Sequence, residues 1–351
     1  MSTLFLIGNG FDLNCGMKTS YKDVYKMYIK EPPATKCISE FKSMLSENID
    51  SWGDFEMSMA GYAAYMKSED DFLECVRDFA SYMEGYLVNE KNKFREIIHE
   101  EKLHTEVMKE IEDSLSNFYK GITHNVDRVI DNRASEFIAE MCAITFNYTD
   151  IFDTFFYRYL GVHAYHGEKI VHIHGRLGDD PVFGVDNIEQ IKAEFQLSRK
   201  GKRGFVKPVF NEQYDQHRVE QAKNMINNAN VICTYGMSLG ESDLTWRNEI
   251  IKWLHSSEKN HLFVYMYALC NIENKTTSER MDREEDEKEK LLDEWGIDDK
   301  DAIVDRIHIP CGKNIFNIKK IILDALKVKN QRLIEEGEKF VEEHMNEMLV
   351  V

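Results

Sequence analysis

Four apolar residues, Leu4-Phe5-Leu6-Ile7, run straight into Gly8-Asn9-Gly10. A short apolar run closed by a glycine turn predicts a buried strand and then a helix start. Glycine at such a turn lets the backbone take positive φ and lets a ligand approach its N–H groups. Those groups, at a helix start, favour anions such as a pyrophosphate. The period then changes. After a first helix over 20–27, Pro32-Pro33 breaks the chain, and from 34 to 141 apolar residues recur every three or four positions. Phe72, Val76, Phe79, Met83 and Leu87 share one face, and Leu115, Phe118 and Ile122 another. Short apolar runs bounded by turns return at 142–147, 169–174, 182–185, 230–236, 262–267 and 303–310. Helical patterns at 212–227 and 244–255 lie between the later runs, as in a parallel sheet buried on both faces. The charge-dense stretch 273–301 reads as a solvated helix or insertion, and 315–345 as an amphipathic helix.

The expected architecture is α/β, a Rossmann-like, mainly parallel sheet with a large helical insertion. Residues 1–33 and 142–312 form the nucleotide-binding domain, 34–141 the insertion, and 313–351 a C-terminal helix.

Composition narrows the partners. Hydrophobic residues make up 43% of 351, enough for a sizeable core, and the net charge is −18. Such a chain repels phosphate backbones, so direct nucleic-acid binding is not expected. The most basic stretch, Ser198 to Lys207, reads as a solvated loop with flexible glycines. Seven cysteines are scattered with no Cys-x-x-Cys, so neither a zinc module nor a disulfide framework is expected. The chain starts directly on a core strand and carries no run of eighteen apolar residues. It is expected to be cytoplasmic, without a membrane segment.

Ligands of open parallel sheets bind at the C-terminal ends of the strands. Four predicted strands end in polar groups: Gly8-Asn9-Gly10; Thr145-Phe146-Asn147-Tyr148-Thr149-Asp150; His172-Ile173-His174-Gly175; and Gly236-Met237-Ser238-Leu239-Gly240-Glu241-Ser242-Asp243. Each also has a plainer role. Asn147 and Asp150 suit helix caps, His172 suits a satisfied core histidine, and Gly236 suits a turn.

The combination IGNGFDL, TFNYTD and HIHG resembles the AbiH family of phage abortive-infection proteins, itself similar to the sirtuin-like NAD-binding superfamily. The resemblance implies a sheet of the sirtuin type and an NADase that cleaves NAD, its substrate, to nicotinamide and ADP-ribose. It implies Gly8 and Gly10 at the pyrophosphate, Asn147 by the nicotinamide ribose, His174 as catalytic base, and Gly236 with Ser238 on the cofactor. Asn9, Phe11, Asp12, Tyr148, Asp150 and Asp243 flank these positions and complete the expected binding set. The paired Cys-x-x-Cys of sirtuin deacylases is missing, which argues for water rather than an acylated lysine as acceptor. No metal is expected, and the trigger and any homo-oligomer stay open. Two other readings remain: a nucleotide sensor without catalysis, and a metal-dependent hydrolase. The latter would use His172 and His174, two residues apart on one side of a strand, with His163, His166 or His217 and Asp186.

Overall fold

A computed structural model describes residues 2–47, 55–120, 140–161, 169–179, 181–266, 269, 276–328 and 331. At its centre is a six-stranded parallel sheet in the order β3-β2-β1-β4-β5-β6. The strands are β1 (Ser2–Ile7), β2 (Glu140–Thr145), β3 (Ile170–His172), β4 (Val231–Tyr235), β5 (His261–Tyr265) and β6 (Ile307–His308). β1 pairs β2 with Ser2 opposite Glu140, and pairs β4 with Thr3 opposite Val231. Leu4, Phe5, Leu6 and Ile7 are all buried. Both faces of the strand are covered, which is why it reads as an unbroken apolar run.

One face of the sheet carries Phe5, Ile7, Ala143 and Cys233. They pack under α6 (Glu101–Asn117), α7 (Ile151–Leu160) and the segment from Ile315 to Ile322. The other face carries Leu4, Leu6, Ile144 and Ile232. They pack under α10 (Gln216–Asn228), α11 (Leu244–Ser256) and α12 (Thr277–Glu294). α12 begins at a capping box between Thr276 and Glu279. The charge-dense stretch is therefore a helix whose Leu291 and Leu292 belong to the sheet's core.

A third core lies beyond the strand ends. It joins α2 (Tyr21–Tyr28), α3 (Lys36–Glu47), α4 (Phe55–Tyr62) and the first part of α5 (Glu69–Ile97). The 29 residues of α5 start at Ser68, whose hydroxyl accepts the Asp71 N–H at 3.2 Å, with three acidic residues in the first turn. Phe55 stacks on Phe79 at 4.1 Å, and Phe183 packs on both.

These cores do not follow the boundaries expected at 34 and 141. α6 packs on the sheet, whereas Phe183, Val185, Phe205 and Val206 join the helical layer. The run at 182–185 is not a strand of the sheet. It bridges only Val206 and fills the helical core. The basic stretch before Lys207 is α8 (Arg199–Phe205), capped by Ser198, and runs into α9 (Lys207–Tyr214). Among the described residues, no helix is long and apolar enough to cross a membrane. His163, His166 and Cys270 lie outside the described residues, as does the end of the helix expected to reach 345.

Candidate functional site

The chain leaves β1 for β2 and β3 on one side, then crosses to β4 on the other, so connections diverge at the C-terminal ends of β1 and β4. Crevices at such switch points bind ligands in open α/β sheets. Here the loops after β1 and β4 touch backbone to backbone. Gly8 N–H donates to Tyr235 O at 2.9 Å and Gly10 N–H to Gly236 O at 2.8 Å. A Cβ on Gly10 would lie 2.3 Å from Gly236 Cα, and one on Gly8 2.5 Å from Gly236 O. Only Gly236 of the three has positive φ, +70°. The first two glycines are thus required by close packing, not by turn conformation. Their N–H groups serve the fold and are not offered to a phosphate.

Beside this contact is a cavity of about 270 Å³. Of the expected residues, Gly8, Asn9, Asp12, Asn147, Tyr148, His174, Gly236, Ser238 and Asp243 line it. Phe11 does not: it is fully buried between Phe152 and Phe316, because the short helix α1 (Gly10–Asn14) turns that ring into the sheet core. Asp150 does not either. It stands at the start of α7 and pairs with Arg95 at 3.0 Å and Lys91 at 3.4 Å. Gly10 supports the cavity from behind, against Gly236.

The polar floor is tightly knit. Asn147 Nδ2 donates to Asp12 Oδ1 at 3.2 Å, and Thr149 Oγ1 to Asp12 Oδ2 at 2.7 Å. Asp12 is 2% exposed. Burial pushes its carboxyl up to about 7, against the lowering effect of those two hydrogen bonds. With its NH₂ committed, Asn147 leaves Oδ1 buried and without a partner. Asn9 faces the same cavity, but its amide is held by Thr19 through Nδ2 to the carbonyl (2.9 Å) and the Thr19 hydroxyl to Oδ1 (2.6 Å).

His174 sits edge-on to Phe146, centroids 5.3 Å apart. Its Nε2 is 3.1 Å from Asp243 Oδ1, a close polar contact with an ionised carboxylate. Burial, then the charge of Lys207, hold the imidazole below its usual range, with Asp243 opposing. It is neutral near pH 7, as a base must be.

Two further groups complete the site, and neither was expected. Lys207, 4% exposed, donates to Glu56 Oε2 at 2.8 Å, Ser242 O at 3.0 Å and Asp243 Oδ1 at 3.1 Å. Burial alone would lower its pKa, but Asp243 and Glu56 override that and keep it charged. Burial also works to raise Asp243, yet Lys207 and His174 outweigh it and hold that carboxyl well below the usual range. Glu56 goes the other way. Burial pushes it up to about 7, because it shares Lys207 and otherwise accepts only the Gly184 N–H. Lys207 is the last residue of a basic run and Glu56 lies in the helical block. Only the fold brings them 2.8 Å apart.

The model of the bacteriophage abortive infection AbiH family matches residues 4–265. The chain belongs to the AbiH family. The matched span runs from β1 through β5 and contains every described residue lining the cavity. No curated protein and no solved structure matches the chain.

In this AbiH chain the His-x-His pair is split. β3 ends at His172, so strand alternation does not carry His174 to the same side. His172 instead meets Asp153 at 2.9 Å and the Asn147 carbonyl at 3.2 Å. His217 lines a cleft with Ser2 and Met141, at the opposite end of the strands. Asp186 accepts from the Thr245 N–H and hydroxyl. Among the described residues, the ligand atoms that come within 4.8 Å of one another belong to Cys37, Asp71 and Glu74, in the helical layer. The ligand set of the metal-hydrolase reading is not assembled there.

Proposed function

We propose that this AbiH protein is an antiphage abortive-infection effector that hydrolyses NAD to nicotinamide and ADP-ribose. The observation that carries the reading is Asn147 Oδ1, a buried polar atom without a partner, beside His174 in one switch-point cavity. Unsatisfied buried polar atoms are costly and need a reason; a bound substrate or water supplies one.

The reaction needs little acid catalysis. The C–N bond between ribose and pyridinium breaks, its electron pair stays on nicotinamide, and the charge moves to an oxocarbenium-like ribosyl group. Water adds to the anomeric carbon and loses a proton. Asn147 Oδ1 can orient that water or a ribose hydroxyl. His174 can take the proton. The Asp12 carboxylate, ionised above pH 7, can stabilise the ribosyl cation. The cavity is at the small end of ligand pockets, which suits the nicotinamide–ribose end, with the pyrophosphate and adenosine extending outwards.

The test is incubation of purified protein with NAD, with products resolved by chromatography. Asn147→Ala and His174→Ala should each abolish turnover while circular dichroism stays unchanged. Protein activated in infected cells while NAD levels hold constant would overturn the reading. NAD bound but not consumed would favour a sensor.

A further inference from the structure

On the far side of the 15–19 loop from the cavity lies a groove of about 1010 Å³, formed by α2, the loop and the outer face of α5. Its charge is opposite to that of the chain. Lys18, Lys26, Lys30 and Lys93 line it against two carboxylates, Asp23 and Glu90, in a protein of net charge −18. Glu90 pairs with Lys93 at 2.7 Å. Among the described residues, Lys18, Lys26 and Lys30 are exposed and pair with no carboxylate. Four lysines against two carboxylates leave the groove with a net charge of +2, a local positive field in an acidic protein.

The wall between them is aromatic. Tyr82 and Tyr86, one helical turn apart on α5, lie 28° from parallel with centroids 6.4 Å apart. Gly85 stands beside them inside the helix, where glycine is destabilising relative to alanine. A Cβ there would meet nothing within 4 Å. Packing within the protein does not require this glycine, and the helix surface there is open to close approach.

We propose that this groove binds a nucleoside polyphosphate, its phosphates on Lys18, Lys26 and Lys30 and its base on the Tyr82–Tyr86 face over Gly85. The groove is mechanically joined to the candidate site. Glu90 Oε2 accepts the Lys18 N–H at 3.0 Å, and the adjoining Thr19 holds Asn9 of the Gly-Asn-Gly turn. On its inner side α5 supplies Met83 and Leu87 to the cavity. An occupant of the groove would press on both.

Isothermal titration of the full chain with ATP, GTP, CTP and UTP tests this. At least one should bind, more weakly as salt rises from about 50 to about 300 mM. The exposed double variant Lys26→Glu/Lys30→Glu should weaken binding by roughly tenfold or more, and Asn147→Ala should leave it unchanged. Gly85→Ala should raise the melting temperature yet weaken binding, a split that a purely structural glycine would not give. The inference is overturned if none of the four binds, or if binding survives the lysine reversals and is lost in Asn147→Ala, which puts the nucleotide in the cavity. It is also overturned if Gly85→Ala binds normally, or if only a single-stranded oligonucleotide such as dT15 is retained.

Discussion

Replacing Lys207 with Met removes one buried cation and leaves two buried carboxylates behind. In the native protein Lys207 Nζ meets Glu56, Ser242 O and Asp243 at 2.8, 3.0 and 3.1 Å, and 4% of the residue is exposed. Removing one partner of such a network costs about 3–5 kcal/mol, because the remaining charge is buried without compensation. That cost depends on pH. At pH 8 the orphaned Asp243 and Glu56 must stay ionised in a desolvated site or take up protons unfavourably. Near pH 5.5 Glu56, already pushed up to about 7, is protonated, and Asp243 without Lys207 follows the upward pull of burial. Lys207→Met should therefore lose about 3–5 kcal/mol at pH 8 and clearly less at pH 5.5, measured by urea unfolding. Fluorescence of the buried Trp246 and Trp253 reports the sheet in the same experiment. The triple variant Lys207→Met/Glu56→Gln/Asp243→Asn, with no net charge left in the cluster, should recover much of the loss. A deficit below about 1 kcal/mol, equal deficits at both pH values, or a triple variant worse than the single one would refute the reasoning.

Stability of the native protein should fall from about pH 6.5 to about pH 8. Asp12 and Glu56 hold their protons in the folded state up to about 7, so the native state binds more protons than the unfolded chain there; below that window His174 and His308, which burial holds under their usual range, pull the other way, and Asp243, held low, contributes stability lost only in stronger acid. Chemical denaturation across pH checks it. Gly10→Ala should destabilise by roughly 1–3 kcal/mol or more, since its Cβ would lie 2.3 Å from backbone that cannot yield, and calorimetry should show this without any ligand. If NAD is hydrolysed, kcat/KM should fall as pH drops through about 7, and Asp12→Asn should remove that limb while leaving the lower one set by His174.

The fold was largely legible because a parallel sheet buried on both faces announces itself as short apolar runs. β1, β2, β4 and β5 lie within about two residues of where their patterns put them. The run at 182–185 misled because apolar density alone cannot distinguish a strand from a loop filling a helical core. The site was legible where strand ends carry it, at Asn147, His174, Gly236 and Asp243. Glu56 and Lys207 were not, since their meaning lies in each other, 151 residues apart, and an isolated charge in a charged stretch carries no sign of burial. Phe11 misled in the opposite sense: proximity to a glycine turn says nothing about which way a short helix turns its ring.

The pairing of β1 has a further consequence, for when the site comes into being. β1 is made first, yet its neighbours begin at Glu140 and Val231, and Asp243 follows β4. A ribosome adding about 5–20 residues per second needs on the order of 12 to 50 s to go from β1 to Asp243. Until then β1 has no complete sheet, Gly10 has no Gly236 to lean on, and Lys207 has no Asp243. Whatever chemistry this cavity performs, a nascent or truncated chain cannot perform it. The order in which the strands leave the ribosome thus makes the cavity a late feature of synthesis, whole only after β4 and the turn that follows it.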